Sequence, residues 1–141
     1  MSRAHVARVV ACALAFAGAA CSLDSTPPAI TFQSDTAAAD FGVVEVTGLH
    51  RDALIALDQA QPTIEQWNRV LGVYAGSAVP LDSTLAVLGT YEVRRDRLRF
   101  TPRFRPMSGQ SYRVRFNGPA LPIPVSGAVV DTTIEMPRVT R

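Results

Sequence analysis

The sequence predicts an all-β fold, an antiparallel β-sandwich with a short helical insertion around 50–70. Three observations carry that prediction. Short stretches alternate apolar and polar residues with a period of two, which places successive side chains on opposite faces of a strand. The most regular is SYRVRF at 111–116, where Tyr112, Val114 and Phe116 face one way and Arg113 and Arg115 the other. Turn-forming residues such as Gly48, Arg94-Arg95-Asp96 and Asn117-Gly118 punctuate these stretches at short intervals, the spacing of a many-stranded sandwich. Helical spacing is confined to one region, 50–71.

The N-terminal 20 residues stand apart from the fold. Arg3, His5 and Arg8 form a short positive region, and VVACALAFAGAA at 9–20 is apolar and small. This is the layout of a secretory signal peptide. The apolar run is short for a transmembrane helix, which needs ~20 residues. It ends in AGAAC, so small residues directly precede Cys21. That context resembles a bacterial lipobox, with Gly18 where leucine is usual. The resemblance implies that Cys21 becomes the lipidated first residue of the mature chain. Ordinary cleavage after Ala17-Gly18-Ala19 is the alternative and leaves Cys21 near a free N-terminus. Acyl chains contribute ~0.8 kcal/mol per buried methylene, so a multiply acylated cysteine tethers a domain to a membrane.

Cys12 is the only other cysteine and lies inside the leader. The mature domain therefore has no pair to form an internal disulfide and must be held by its core. The chain has fourteen arginines and no lysine; without Arg3 and Arg8, twelve arginines face twelve acids. Overall charge points to no polyanionic partner. About 120 residues remain, enough for one domain with a real core.

The mature elements follow in order. Residues 21–29 form the anchor and a linker containing Pro27-Pro28, and 30–141 form the domain. Ile30 to Gln33 is a short strand, 34–40 a loop, and FGVVEVTGL at 41–49 a valine-rich strand. HRDALIALDQAQ is rich in helix formers and stops at Pro62. Thr63 with Gln66 three residues later is a capping box, which predicts a helix over 64–70. Strands are expected at 71–75, 85–93, 97–102, 111–116 and 129–136, with Pro119, Pro122 and Pro124 confining the segment between the last two to a loop or an edge. The expected core is Val44, Val46, Trp67, Val70, Val73, Leu88, Tyr91, Leu98, Phe100, Tyr112, Val114 and Phe116. Trp67 is read as a plug at the end of that core.

The stretches Leu88-Gly89-Thr90-Tyr91, Leu98-Arg99-Phe100-Thr101-Pro102 and Gly109-x-x-Tyr112-Arg113-Val114 resemble the bacterial Ig-like domains of extracellular proteins, the SbsA-type Ig-like family. The likeness covers 85–116, a hairpin ending in FTP followed by G-x-x-Y; Met107 and Ser108 stand where leucine and proline usually precede the glycine. It implies an Ig-like sandwich, export and a modular or adhesive context, and it carries over no catalytic residue. It also implies a tyrosine corner at Tyr112, in which the phenol bonds back to the backbone upstream.

Candidate chemistry is sparse. His50 is the only histidine outside the leader, so no metal set of imidazole and thiolate can be assembled from the mature chain. Asp35 and Asp40 lack the spacing of a calcium loop, and no nucleophile elbow, zincin or phosphate-loop motif is present. No cofactor or metal is implied. The remaining candidate is an arginine cluster. Between Tyr91 and Phe116 eight arginines face two acids, Glu92 and Asp96. Arg97 and Arg99 alternate with Leu98 and Phe100, as Arg113 and Arg115 do with Val114 and Phe116. If these strands share a sheet, all four arginines line one outer surface and could contact a polyanion such as an acidic glycan, a lipid headgroup or an envelope phosphate. The alternative is a solvated face paired with Glu45, Glu92 or Glu135. Nucleic acid is not expected, because the chain reads as exported and its aromatics point inward.

The functional expectation is a non-catalytic cell-envelope lipoprotein module, tethered through Cys21, that binds a protein or glycan or acts as a spacer. Its location would be the outer membrane or the periplasm-facing envelope, or the exterior if secreted. An enzyme or accessory domain of envelope carbohydrate or peptide processing is the alternative.

Overall fold

Period-two strands bury one face each, and this chain meets that demand by stacking two antiparallel sheets. The computed structural model describes residues 26–34, 42–76, 85–136 and 138. The leader, Cys21, Asp35 and Asp40 lie outside the described residues, as do 77–84. The first sheet contains β1 (Ala29–Ser34), β2 (Gly42–Thr47), β4 (Gly89–Val93) and β5 (Leu98–Pro102) in the order β1-β2-β5-β4. The second contains β3 (Leu71–Ala75), β6 (Ser111–Asn117) and β7 (Val129–Glu135) in the order β3-β6-β7. The all-β sandwich with its helical insertion is thus present.

The two helices fill the gap between the sheets at one end. Helix α1 (Arg51–Ala60) starts at His50, whose Nδ1 accepts from the Asp52 amide at 3.3 Å. It stops at Gln61, which adopts the left-handed conformation (φ 44°) just before Pro62. The helix buries Ala53, Leu54 and Leu57. Helix α2 (Ile64–Val70) begins with the expected capping box: the Thr63 amide donates to Gln66 Oε1 (2.8 Å) and the Gln66 amide to Thr63 Oγ1 (3.4 Å). The helix then runs straight into β3.

Between the sheets, Val44, Val46, Leu98 and Phe100 meet Val73, Tyr112, Val114 and Phe116, with Val70 and Leu71 at the helical end. Trp67 is half-buried against this core and stacks on Tyr91, with ring centroids 4.8 Å apart and planes within 3°. The Tyr91 hydroxyl donates to the Leu71 carbonyl (2.9 Å) and lies 2.9 Å from Asn68 Oδ1. Burial pushes this phenol well above the ordinary tyrosine range, so it stays a neutral donor that ties β4 to the end of α2.

One expectation is corrected. Leu88 is 55% exposed and lies outside the core. Regular pairing begins only at Gly89, and Tyr91 and Val93 take the inward parity, so Leu88, three residues before Tyr91, points the other way. The turn expected at Asn117-Gly118 is present, as a 3-10 turn rather than a two-residue hairpin. Asn117 is still extended, and Gly118–Ala120 forms a single 3-10 turn that opens a loop to β7. Gly118 serves close approach instead: an added Cβ would lie 2.8 Å from the Ala128 carbonyl oxygen and 2.9 Å from that of Val125.

Leu54 had no place in the expected core, yet it is fully buried. Leu54→Ala is expected to cost about 2–5 kcal/mol in urea unfolding. A cost under about 0.5 kcal/mol, the range of a surface change, would show that α1 does not seal the sandwich.

Candidate functional site

The arginine-rich strands do not share a sheet. β5 pairs with β2 and β4, while β6 pairs with β3 and β7. Since the inward residues of both strands meet between the sheets, Arg97 and Arg99 lie on one outer face and Arg113 and Arg115 on the opposite one. The single four-arginine surface is therefore corrected to two separate pairs. The physical reason is that alternation fixes which way a residue points but not which strand lies beside it.

Each pair is closed by a carboxylate. On the first sheet, Glu45 sits directly across from Arg99 in the register and is only 1% exposed. Arg99 donates through Nε to Glu45 Oε1 (3.0 Å), with Nη2 at 2.9 Å from the same oxygen. Arg97 Nη1 donates to Oε2 at 2.9 Å. The other side of Arg97 grips Asp96 in a fork, Nε to Oδ1 at 3.0 Å and Nη2 to Oδ2 at 2.7 Å. Burial pushes the Glu45 carboxyl upward, but the bonds and charges of Arg97 and Arg99 outweigh it and hold the group below its ordinary value. It is an ionised carboxylate at neutral pH.

On the second sheet, Asp131 lies across from Arg115. Arg113 takes it in a two-point fork at 2.8 Å and 2.8 Å, and Arg115 Nε is 3.2 Å from Oδ2. The Arg113 hydrogen bond is the chief cause that holds the Asp131 carboxyl below its usual range. Beside them the Tyr74 ring lies across Gly72, where an added Cβ would come within 2.4 Å of the phenol oxygen.

Of the expected carboxylate partners, Glu45 takes Arg97 and Arg99, and Glu92 takes Arg94 at 2.9 Å on the exposed hairpin. Asp131 fills the role expected of Glu135. Sequence reasoning missed it because VVDTTIE offers two acids of the same parity, four residues apart on one face, and only the register, which sets Asp131 opposite Arg115 and Glu135 opposite Ser111, chooses between them. Arg103 lies over the Phe104 ring at 5.7 Å.

His50 is spent on capping α1 and is exposed, with Asp52 Oδ2 3.6 Å away. Among the described residues no three His, Cys, Asp or Glu side chains gather as a metal set. Tyr112 makes a corner contact: its hydroxyl accepts from the Met107 amide at 2.9 Å. Comparison of the chain with known protein families, curated proteins and solved structures finds no match.

The geometry carries a pH signature. The carboxyl of Glu45 is depressed in the folded state, so its stabilising contribution is complete above the unfolded value of ~4.3 and is lost as pH falls through the lower folded value. Glu45→Gln is expected to cost about 2 kcal/mol at pH 7, and the gap from wild type is expected to shrink as pH drops below ~4. Urea unfolding at pH 7, 5, 4 and 3 checks this. A cost that does not change with pH would mean that Glu45 acts by shape alone.

Proposed function

We propose that this protein is a non-catalytic module of the bacterial cell envelope: an Ig-like sandwich, lipidated at Cys21, that binds a protein or glycan partner or spaces other parts of the envelope. The observation that carries this reading is how its ionisable groups are used. Shifted pKa values often mark catalytic sites, where a group is poised toward a cavity. Among the described residues, the shifted acids Glu45, Asp96 and Asp131 and the shifted bases Arg97 and Arg113 are perturbed chiefly by each other or by burial, and Glu65 by backbone and Thr63 hydrogen bonds at the start of α2. That pattern supports structural clamps. A polyanion approaching either arginine pair would have to displace a carboxylate already seated in it.

The route of the chain is consistent with a tether. The linker leads into β1 at Ala29, paired with Thr47, at the same end as the helices. A membrane anchor at Cys21 would leave the far end of the sandwich, with Ser34, Ala75 and Ser111, pointing away from the bilayer.

Metabolic labelling with a fatty acid tests the tether. The wild type is expected to carry label and to sediment with membranes, whereas Cys21→Ser loses the label and its lipid anchorage. An unlabelled wild type found in the cytosol would overturn the proposal.

A further inference from the structure

The arginine pairs on the two sheet faces are closed by carboxylates, but two arginines at the helical end are not. A cleft of about 270 Å³ lies there between α1 and the turn that joins β4 to β5. Leu54 and Ile55 of α1 and Val93 of β4 form its apolar part, and Arg51, Arg94 and Arg95 stand around it. Asp58 is the one acid in the lining. The neighbouring acids are engaged elsewhere. Glu92 takes Arg94 at 2.9 Å, Asp52 lies 3.6 Å from His50, and Asp96 is gripped by Arg97. Arg51 and Arg95 are exposed, and among the described residues neither side chain is held by an ion pair or a hydrogen bond.

The position of the cleft matters as much as its charge. The linker leaves the domain beside it. A Cβ added at Gly48 would lie 2.5 Å from the Pro27 carbonyl oxygen, and Gly48 stands three residues before Arg51. Thr26 is five residues after Cys21. An extended chain covers at most ~3.6 Å per residue, so a lipid on Cys21 would keep Thr26 within ~18 Å of the bilayer. The segments 35–41 and 77–84 join the described chain at Ser34, Gly42 and Gly76, which all lie at the opposite end. What precedes Thr26 is, in the tethered reading, the removed leader and the tether itself.

The chemistry fits a membrane surface better than a soluble anion. Guanidinium forks suit phosphate oxygens, and each basic group near an anionic bilayer strengthens binding about fivefold. Ile55, 43% exposed, stands among these arginines. Arginine stems lie along apolar surface while their heads stay at the interface. A soluble phosphate would engage the arginines alone, whereas a bilayer takes up the isoleucine as well.

We propose that this cleft docks the helical end of the domain on an anionic phospholipid surface, with Arg51 and Arg95 on lipid phosphates and Ile55 at the headgroup boundary. The orientation rests on the tethered reading; the lipid preference does not need an acyl chain on Cys21.

The test uses full-length protein with Cys21→Ser, which cannot be acylated at that position. It is titrated with vesicles of phosphatidylglycerol and phosphatidylcholine in equal parts, and with phosphatidylcholine vesicles, and binding is read by sedimentation. The leader contributes alike to every variant, so differences between variants report the cleft. Arg51→Gln/Arg95→Gln is expected to weaken binding to the mixed vesicles about 25-fold and to leave binding to the neutral ones unchanged. Ile55→Ser is expected to weaken the mixed vesicles about fivefold. Arg103→Gln/Arg138→Gln removes the same charge at the far end, where Arg138 lies against Gly109, and is expected to have no effect. The proposal is overturned if the wild type binds both vesicles equally, or if Arg51→Gln/Arg95→Gln binds as the wild type does. Equal weakening by the two double variants would reduce the effect to net charge and overturn it too. So would an Ile55→Ser protein with unchanged binding, the mark of a soluble phosphate site. Fatty-acid label on Cys21 without any anionic preference would sink this proposal alone; the preference without the label would sink the tether alone.

Discussion

Between Pro102 and Ser111 the chain leaves one sheet and joins the other, and the rest of the molecule depends on that crossing. Prolines at 102 and 106 have no amide to offer a ladder, so pairing stops there. Gly109 takes the left-handed conformation at φ 71°, and the Gln110 amide closes a turn onto the Met107 carbonyl at 3.1 Å. The segment is then held on two sides. Its Gly109 amide and Gln110 carbonyl pair with Met136 beyond β7 (3.1 and 3.0 Å), and Tyr112 accepts from Met107. Two strands of the same parity thereby face each other across the core instead of lying side by side. Leu98 and Phe100 meet Val114 and Phe116, and their arginines are sent to opposite outsides.

Placing charge at the middle of a sheet has an energetic consequence. A carboxylate as buried as Glu45 would cost several kcal/mol if left unpaired, and a single partner seldom offsets the loss of water. Two guanidiniums reach it, Arg99 from β5 and Arg97 from the turn just before it, the latter braced by Asp96. Planar forks can hold two oxygens or bridge two acids, which an ammonium does less well. Arg97 bridges Asp96 and Glu45, and Arg113 grips both oxygens of Asp131. The clamp also reads register. A slip of one residue along β2 would bring Val44 or Val46 opposite Arg99 and turn Glu45 into the core.

Much of the fold was legible because its signals are local. Alternation in SYRVRF and LRFTP, the Thr63–Gln66 box and the breaks at Pro62 and Gly48 all act within a few residues. What escaped depends on distant partners. Glu45 in GVVEVT reads as an exposed position, and its burial comes from Arg97 and Arg99 more than fifty residues later. The sorting of β5 and β6 into different sheets has no local mark, since either arrangement satisfies the same alternation. Leu88 was misplaced by counting it with Tyr91, three positions on, although a strand gives such residues opposite faces. The burial of α1 through Leu54 and Leu57 was hidden for a related reason: the stretch shows helix formers, while the sheets it seals are assembled from elsewhere in the chain.

The molecule has two unlike ends. The helical end is filled by Leu54, Leu57 and the Trp67–Tyr91 stack and receives the linker. The other end is bounded by the crossing and, among the described residues, is lined mainly by apolar side chains such as Phe32, Val87 and Met136. Both the clamps and that apolar end follow from where β5 and β6 are placed. Cross-strand backbone nuclear Overhauser effects test that placement most directly. The account predicts contacts from Arg99 to Glu45 and Glu92 and from Arg115 to Gly72 and Asp131, with none between β5 and β6. Backbone contacts joining β5 directly to β6 would put all four arginines on one sheet and contradict it.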